Sequence, residues 1–218
     1  MFAALRSRIH LCLCALSVLI AVGSAAGQAA SPTRTVLVVG DSLSAEFGLP
    51  RDTGWVSRLS GRLARQERQY SVVNASISGD TTSGGRARLP RLLQTVEPDI
   101  VVIELGGNDG LRGLDLEQMR DNLQAMIEAC RAAHARVLLV GVRIPPNYGR
   151  DYSERFFQTF ASLAARNRVE LVPFLMDGFA DRLELFQADR IHPNQQAQER
   201  MLDNVWTRLL PMLRRPAA

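Results

Sequence analysis

The sequence predicts a parallel α/β sandwich, a doubly wound sheet with helices on both faces. Three features carry that expectation. The strand-like runs read apolar throughout rather than alternating, as strands buried on both faces do. They alternate along the chain with helical patterns, which right-handed crossovers wind onto the two faces of one sheet. Glycines and polar residues recur just after the runs, at the edge where open α/β sheets build their sites.

The elements follow in order. Residues 35–40, TVLVVG, are apolar and β-branched and form the first strand. A helical pattern at 55–68 leads to a second strand at 71–75, and another at 84–95 leads to a third at 100–105. The segment 116–135 has the clearest helical period: Leu116, Met119, Leu123, Met126, Ile127 and Cys130 share one face. A fourth strand at 137–142, a helix at 152–166, a fifth strand at 170–173 and a last helix at 195–213 complete the set. With no repeat, low-complexity tract or interior linker, one domain over 32–213 accounts for the chain, and 46% hydrophobic content is enough to give it a full core.

Composition removes several chemistries. All 26 basic residues are arginine, so a Ser-Lys dyad, a Schiff-base lysine and a P-loop lysine are excluded. The arginines are dispersed among 22 acidic residues, so the net charge of +4 builds no nucleic-acid-binding block. At the N-terminus, Arg6, Arg8 and His10 precede an apolar stretch at 11–22 and a run of small residues, Gly23 to Gly27. This is the pattern of a signal peptide over 1–26, cleaved after Ala26, with Gly27 and Ala29 as other positions; an uncleaved anchor is the alternative. Removal of the leader takes Cys12, Cys14 and His10. It leaves Cys130 without a disulfide partner, and His134 and His192 as the remaining histidines.

The residues after each strand are read separately. Asp41 and Ser42 follow the first, and Ser76 to Asp80 the second. Gly106, Gly107, Asn108 and Asp109 follow the third, Arg143 to Pro146 the fourth, and Asp189 to His192 come after a longer excursion from the fifth. A serine hydroxyl at such an edge needs a base, and neutral imidazole is the usual one. His134 sits near a helix end between Arg131 and Arg136 and reads as a helix C-terminal residue. His192 has Asp189 three residues before it, a spacing that can fold a carboxylate back onto the imidazole. The same two residues can equally cap the last helix, and the pair alone does not choose. Asn108, Gly79 and the Ser42 N–H at an expected helix start can each donate to an oxyanion, although Gly and Asn are also ordinary turn residues.

Together, GDSL at Ser42, the Gly79 block, GGND at Asn108 and DxxH at His192 occur in an order that resembles the SGNH (GDSL) hydrolase superfamily. The segments VVNASISGDTT (72–82), ELGGNDGLRG (104–113), PPNYGR (145–150) and IHPN (191–194) are similar to the bacterial periplasmic acyl-CoA thioesterase I/lysophospholipase (arylesterase) group. The resemblance covers nearly all of the mature chain. It implies a flavodoxin-like, three-layer α/β/α fold with a five-stranded parallel sheet. It also implies Ser42 as nucleophile, His192 as base and Asp189 as its orienter. Ser42, Gly79 and Asn108 would form the oxyanion hole, with Leu111, Leu114 and Pro146 at the substrate. The loop 106–113 would move over an acyl chain. Ala45-Glu46-Phe47 departs from the small residues, glycine and tyrosine more usual in that group.

The expected activity is hydrolysis of carboxylic esters and thioesters (acyl-CoA, lysophospholipid, aryl esters) through an acyl-enzyme, by a periplasmic monomer. No cofactor or metal is required, since two histidines and one cysteine are too few for a nitrogen/sulfur zinc site. No nucleic-acid partner is expected. Lysophospholipid substrates would bring transient contact with membrane lipids. The alternatives are an O-acetyl esterase acting on envelope carbohydrate and a non-catalytic periplasmic binding module.

Overall fold

The computed structural model describes residues 34–67 and 69–214. The predicted leader, with Cys12 and Cys14, lies outside the described residues. The five strands are β1 (Arg34–Gly40), β2 (Tyr70–Asn74), β3 (Ile100–Glu104), β4 (Arg136–Val140) and β5 (Glu170–Val172). They pair in parallel in the order β2-β1-β3-β4-β5, with Val36 between Val72 and Ile100. The helices are α1 (Trp55–Gln66), α2 (Thr82–Val96), α3 (Gly107–Leu111), α4 (Leu116–Ala132), α5 (Arg150–Asn167) and α6 (Gln198–Arg214).

The fold class is the expected α/β one, and its layers follow from the apolar faces. The β1 run Val36 to Val39 and the β3 run Ile100 to Ile103 have no exposed surface. Residues that face both ways from a strand and are all buried require a helix layer on each side. The helices α1 and α6 pack together as one layer, while α4 touches both α2 and α5 in the other. The chain leaves β1 for β2 on one side and returns to β3 on the other. The order of the sheet therefore reverses between β1 and β3, and their carboxyl ends open a crevice there.

Three elements differ from the sequence expectation. The first is α3, which forms where the glycines of GGND read as turn. The last helix is preceded by a separate tight turn, Gln195–Ala197, with Asn194 accepting from the Gln196 N–H at 2.9 Å as its cap. No helix follows β1 directly. The segment after Gly40 is a series of turns in which Ser44 N and Ala45 N donate to the Asp41 carbonyl, and α1 begins only at Trp55. That helix has no side-chain cap at Gly54; instead Glu46 Oε1 accepts from the Gly54 N–H at 2.8 Å. Among the described residues, no helix is long and apolar enough to cross a membrane.

Candidate active site

The first and last strand-end segments meet although 150 residues separate them. His192 Nε2 lies 2.9 Å from Ser42 Oγ, and His192 Nδ1 lies 2.7 Å from Asp189 Oδ2. The other Asp189 oxygen accepts from the backbone N–H groups of Ile191 and His192, at 2.9 and 3.0 Å. Asp189 therefore closes its own turn around the imidazole. The cap of the final segment is Asn194, so the capping alternative for Asp189 and His192 does not describe this geometry. Partial burial raises the Asp189 carboxyl, but the two backbone donors and the imidazole outweigh it and bring the pKa down to about 2. An ionised carboxylate on Nδ1 holds the tautomer that leaves Nε2 free to accept the serine proton.

Asn108 reaches the same crevice from α3. Its amide donates one hydrogen to Asp41 Oδ2 at 3.1 Å and the other to the Asp80 carbonyl at 2.9 Å. The second bond draws the Gly79-Asp80 turn against Asn108. Gly79 adopts φ +80°, in the left-handed region that glycine enters without cost, and its carbonyl accepts from Arg112 Nη2 at 2.9 Å. The first turn of α2 is fixed to α3 by Asp109, which accepts from Thr82 N at 2.9 Å and Thr82 Oγ1 at 2.5 Å. Thus the loops after β2 and β3 form one hydrogen-bonded unit beside Ser42.

Two buried acids beneath the serine were not singled out by the sequence as site residues. Asp41 is 2% exposed, and its Oδ1 accepts from the Leu43 N–H at 3.0 Å. Burial raises its pKa to about 6 against the opposing pull of the Leu43 N–H, the Asn108 amide and His192. Glu104, the last residue of β3, is wholly buried; its Oε2 accepts from Ser44 Oγ at 2.7 Å and from Asp41 N at 3.4 Å. Burial, with the Asp41 carboxylate adding to it, pushes the Glu104 carboxyl well above the usual carboxylate range. A Cβ on Gly40 would stand 2.8 Å from Ser44 Oγ and 2.9 Å from Glu104 Oε2, so a bare backbone there lets the acid approach the turn.

A cavity of about 460 Å³ opens over these groups. Ser42, Asn108 and His192 lie on its wall, and Leu111, Val142, Ile144, Phe174 and Met176 give it apolar sides. Of the residues expected at the substrate, Leu111 is on the wall. Leu114 is not: it is 42% exposed, because Gly113 at φ +63° ends the helix and the Leu114 N–H turns back to the Asp109 carbonyl. Pro146 begins a tight turn, Pro146–Tyr148, and its side chain lies outside the described residues, while its neighbour Pro145 lines the cavity. Gly79 is outside the lining. His134, at φ +58° after α4, is exposed, and its N–H donates to the Arg131 carbonyl at 2.9 Å. Cys130 is wholly buried on α4, and burial pushes its thiol up to about 12, so it is a packing residue.

Residues 38–200 match the model of the GDSL-like Lipase/Acylhydrolase family. The esterase TesA of Pseudomonas aeruginosa is 52% identical over 180 residues, 83% of this chain and 90% of that protein. A protein of Escherichia coli K12 named thioesterase 1/protease 1/lysophospholipase L1 is 41% identical over 184 residues, 84% of this chain and 87% of that one. The crystal structure of TesA superposes with a TM-score of 0.80 at 51% identity, covering 82% of this chain and 99% of the other.

Proposed function

The chain belongs to the GDSL-like lipase/acylhydrolase family and is a hydrolase acting on ester bonds, and on that footing we propose that Ser42 is its nucleophile. The observation that carries this reading is the unbroken chain Ser42 Oγ–His192–Asp189, with links of 2.9 and 2.7 Å. His192 takes the serine proton as the oxygen attacks the acyl carbonyl, and Asp189 stabilises the imidazolium that forms. The same imidazole then protonates the leaving alcohol or thiol. Water, deprotonated by His192, releases the acid from the acyl-enzyme.

The tetrahedral oxygen takes donors from the Ser42 and Gly79 N–H groups and from the Asn108 amide. Asn108 has both hydrogens engaged at rest, so one of them transfers from Asp41 or Asp80 to the oxyanion.

Substrates in this reading are carboxylic esters and thioesters with an acyl chain, as the names of the Pseudomonas and Escherichia relatives suggest. The apolar cavity walls favour acyl chains over an acetyl group on carbohydrate. The catalytic domain spans 32–213, and residues 1–26 export a monomer to the periplasm, where lysophospholipids bring it into contact with membrane lipid.

The test is labelling with a fluorophosphonate alongside a p-nitrophenyl ester chain-length series. Wild type is labelled and Ser42→Ala is neither labelled nor active while remaining folded. Activity retained in Ser42→Ala removes the nucleophile assignment, and a sharp optimum at acetate transfers the substrate to the O-acetyl class.

A further inference from the structure

Phe47 follows Ser42 by five residues, and its surroundings make it more than a surface aromatic. Its ring centroid lies 4.5 Å from that of His192, with the planes inclined by 39°. The ring is absent from the cavity lining, so it backs the imidazole from outside the pocket. Its backbone N–H donates to the Ser42 carbonyl at 3.3 Å. Its own carbonyl accepts from Gln187 Nε2 at 2.8 Å, and that nitrogen also reaches the Pro193 carbonyl at 3.3 Å. The Gln187 N–H donates to the His192 carbonyl at 2.8 Å. Phe47 is therefore bonded to the segment that carries the serine and, through Gln187, to the His192 and Pro193 carbonyls.

The residues flanking Phe47 hold it there. Glu46 is left-handed at φ +58°, and its carboxylate accepts from Asp52 N at 2.9 Å, Gly54 N at 2.8 Å and Ser57 Oγ at 2.6 Å. Gly48 is also left-handed, at φ +68°, and a Cβ on it would fall 2.1 Å from Gln187 Oε1. Two turns with positive φ and a triply satisfied carboxylate thus fix a side chain that is itself 47% exposed. An aromatic exposed to that degree contributes little by burial; the contact it does make is with the imidazole.

We propose that Phe47 is a positioning residue, which sets the plane of the His192 ring and, with Gln187, locks the turn of Ser42 to the loop of His192. Without the ring the imidazole keeps Asp189 as its partner but gains freedom to tilt away from Ser42 Oγ. An error of order 1 Å in such a contact costs up to about 100-fold in rate.

The inference rests on Ser42 and His192 being nucleophile and base, a reading that Ser42→Ala tests separately. The experiment measures kcat and KM on a p-nitrophenyl ester for Phe47→Ala, Phe47→Tyr and Gln187→Leu, with proton NMR of the low-field His192 Nδ1–H resonance. Expected is a fall in kcat of about tenfold or more in Phe47→Ala at little-changed KM, rescue by Phe47→Tyr, and an intermediate loss in Gln187→Leu. The Nδ1–H signal should persist in Phe47→Ala, because Asp189 is untouched, but broaden as the ring gains motion. Phe47→Ala with kcat within about twofold of wild type overturns the proposal, as does a loss seen in KM alone. If Phe47→Ala fails to fold, Gln187→Leu carries the test: an unchanged kcat in that variant also overturns it.

Discussion

Asn108 donates one amide hydrogen to the buried carboxylate of Asp41, 3.1 Å away, and the other to the Asp80 carbonyl. A donor held in this way stands beside Ser42 before substrate arrives, and one of its two bonds is exchanged for the oxyanion as charge develops. Asn108→Ala should lower kcat by on the order of 10²–10³ with KM little affected. Asn108→Asp should be at least as impaired, because it sets a second carboxylate against Asp41. Steady-state kinetics on one ester give both numbers, and a loss below about tenfold takes Asn108 out of the oxyanion hole.

Glu104→Gln is expected to stabilise the protein increasingly as pH rises. Both buried acids have folded pKa values above their unfolded ones, 3.8 for Asp41 and 4.5 for Glu104. The stability each contributes is whole below its unfolded value and is lost as pH rises through its folded value, about 6 for Asp41 and well above 4.5 for Glu104. Glutamine keeps a carbonyl to accept from Ser44 Oγ and has no proton to lose. Thermal midpoints taken between pH 5 and pH 9 should separate in favour of Glu104→Gln, and parallel curves would show that Glu104 does not change charge there. Glu104→Ala leaves the Ser44 hydroxyl buried and unpartnered and should cost about 1–3 kcal/mol.

Asp189→Asn should reduce kcat by about 10²–10⁴ without unfolding the chain, since the amide favours the wrong imidazole tautomer. The carboxyl is held at about 2, so its contribution to stability is present above 3.8 and is lost as pH falls toward 2. Wild-type Asp189 is ionised throughout the neutral range, so its loss should lower the height of the activity profile there. Steady-state kcat of the two proteins at neutral pH checks this, and a loss below about tenfold takes Asp189 out of the orienting role.

Leu111 and Leu114 should part company. Leu111 forms cavity wall and Leu114 is turned out after Gly113. Leu111→Ala should raise KM for octanoyl and longer esters by about three- to tenfold, the worth of two or three buried methylenes partly compensated, and leave acetate alone. Leu114→Ala should change neither. Equal effects from the two would mean that the loop closes far enough to bring Leu114 inward.

The strands, the layers and the Ser42, Asp189 and His192 segments were legible because each is written locally. An apolar run, a stop at glycine and a three-residue spacing are all visible in a stretch of chain. What stayed hidden depends on pairs far apart in sequence. Glu104 reads as one polar residue at the end of a strand until Ser44 and Asp41, some 60 residues earlier, are folded onto it. Phe47 reads as a surface aromatic until His192 arrives beside it. The short helix α3 was missed for a different reason: its glycines carry a turn signal that tertiary hydrogen bonds, chiefly those of Asn108 and Asp109, override.

Cys130 is the only thiol among the described residues, and it has no exposed surface. With residues 1–26 removed, as proposed above, the folded enzyme should be invisible to a disulfide reagent such as Ellman's. Thioester turnover can then be followed continuously by the thiol it liberates, with no background from the catalyst. The same silence makes Cys130 a built-in gauge of unfolding: one equivalent of reactive sulfhydryl appears only when α4 leaves the sheet, and its rate of appearance counts the opening events.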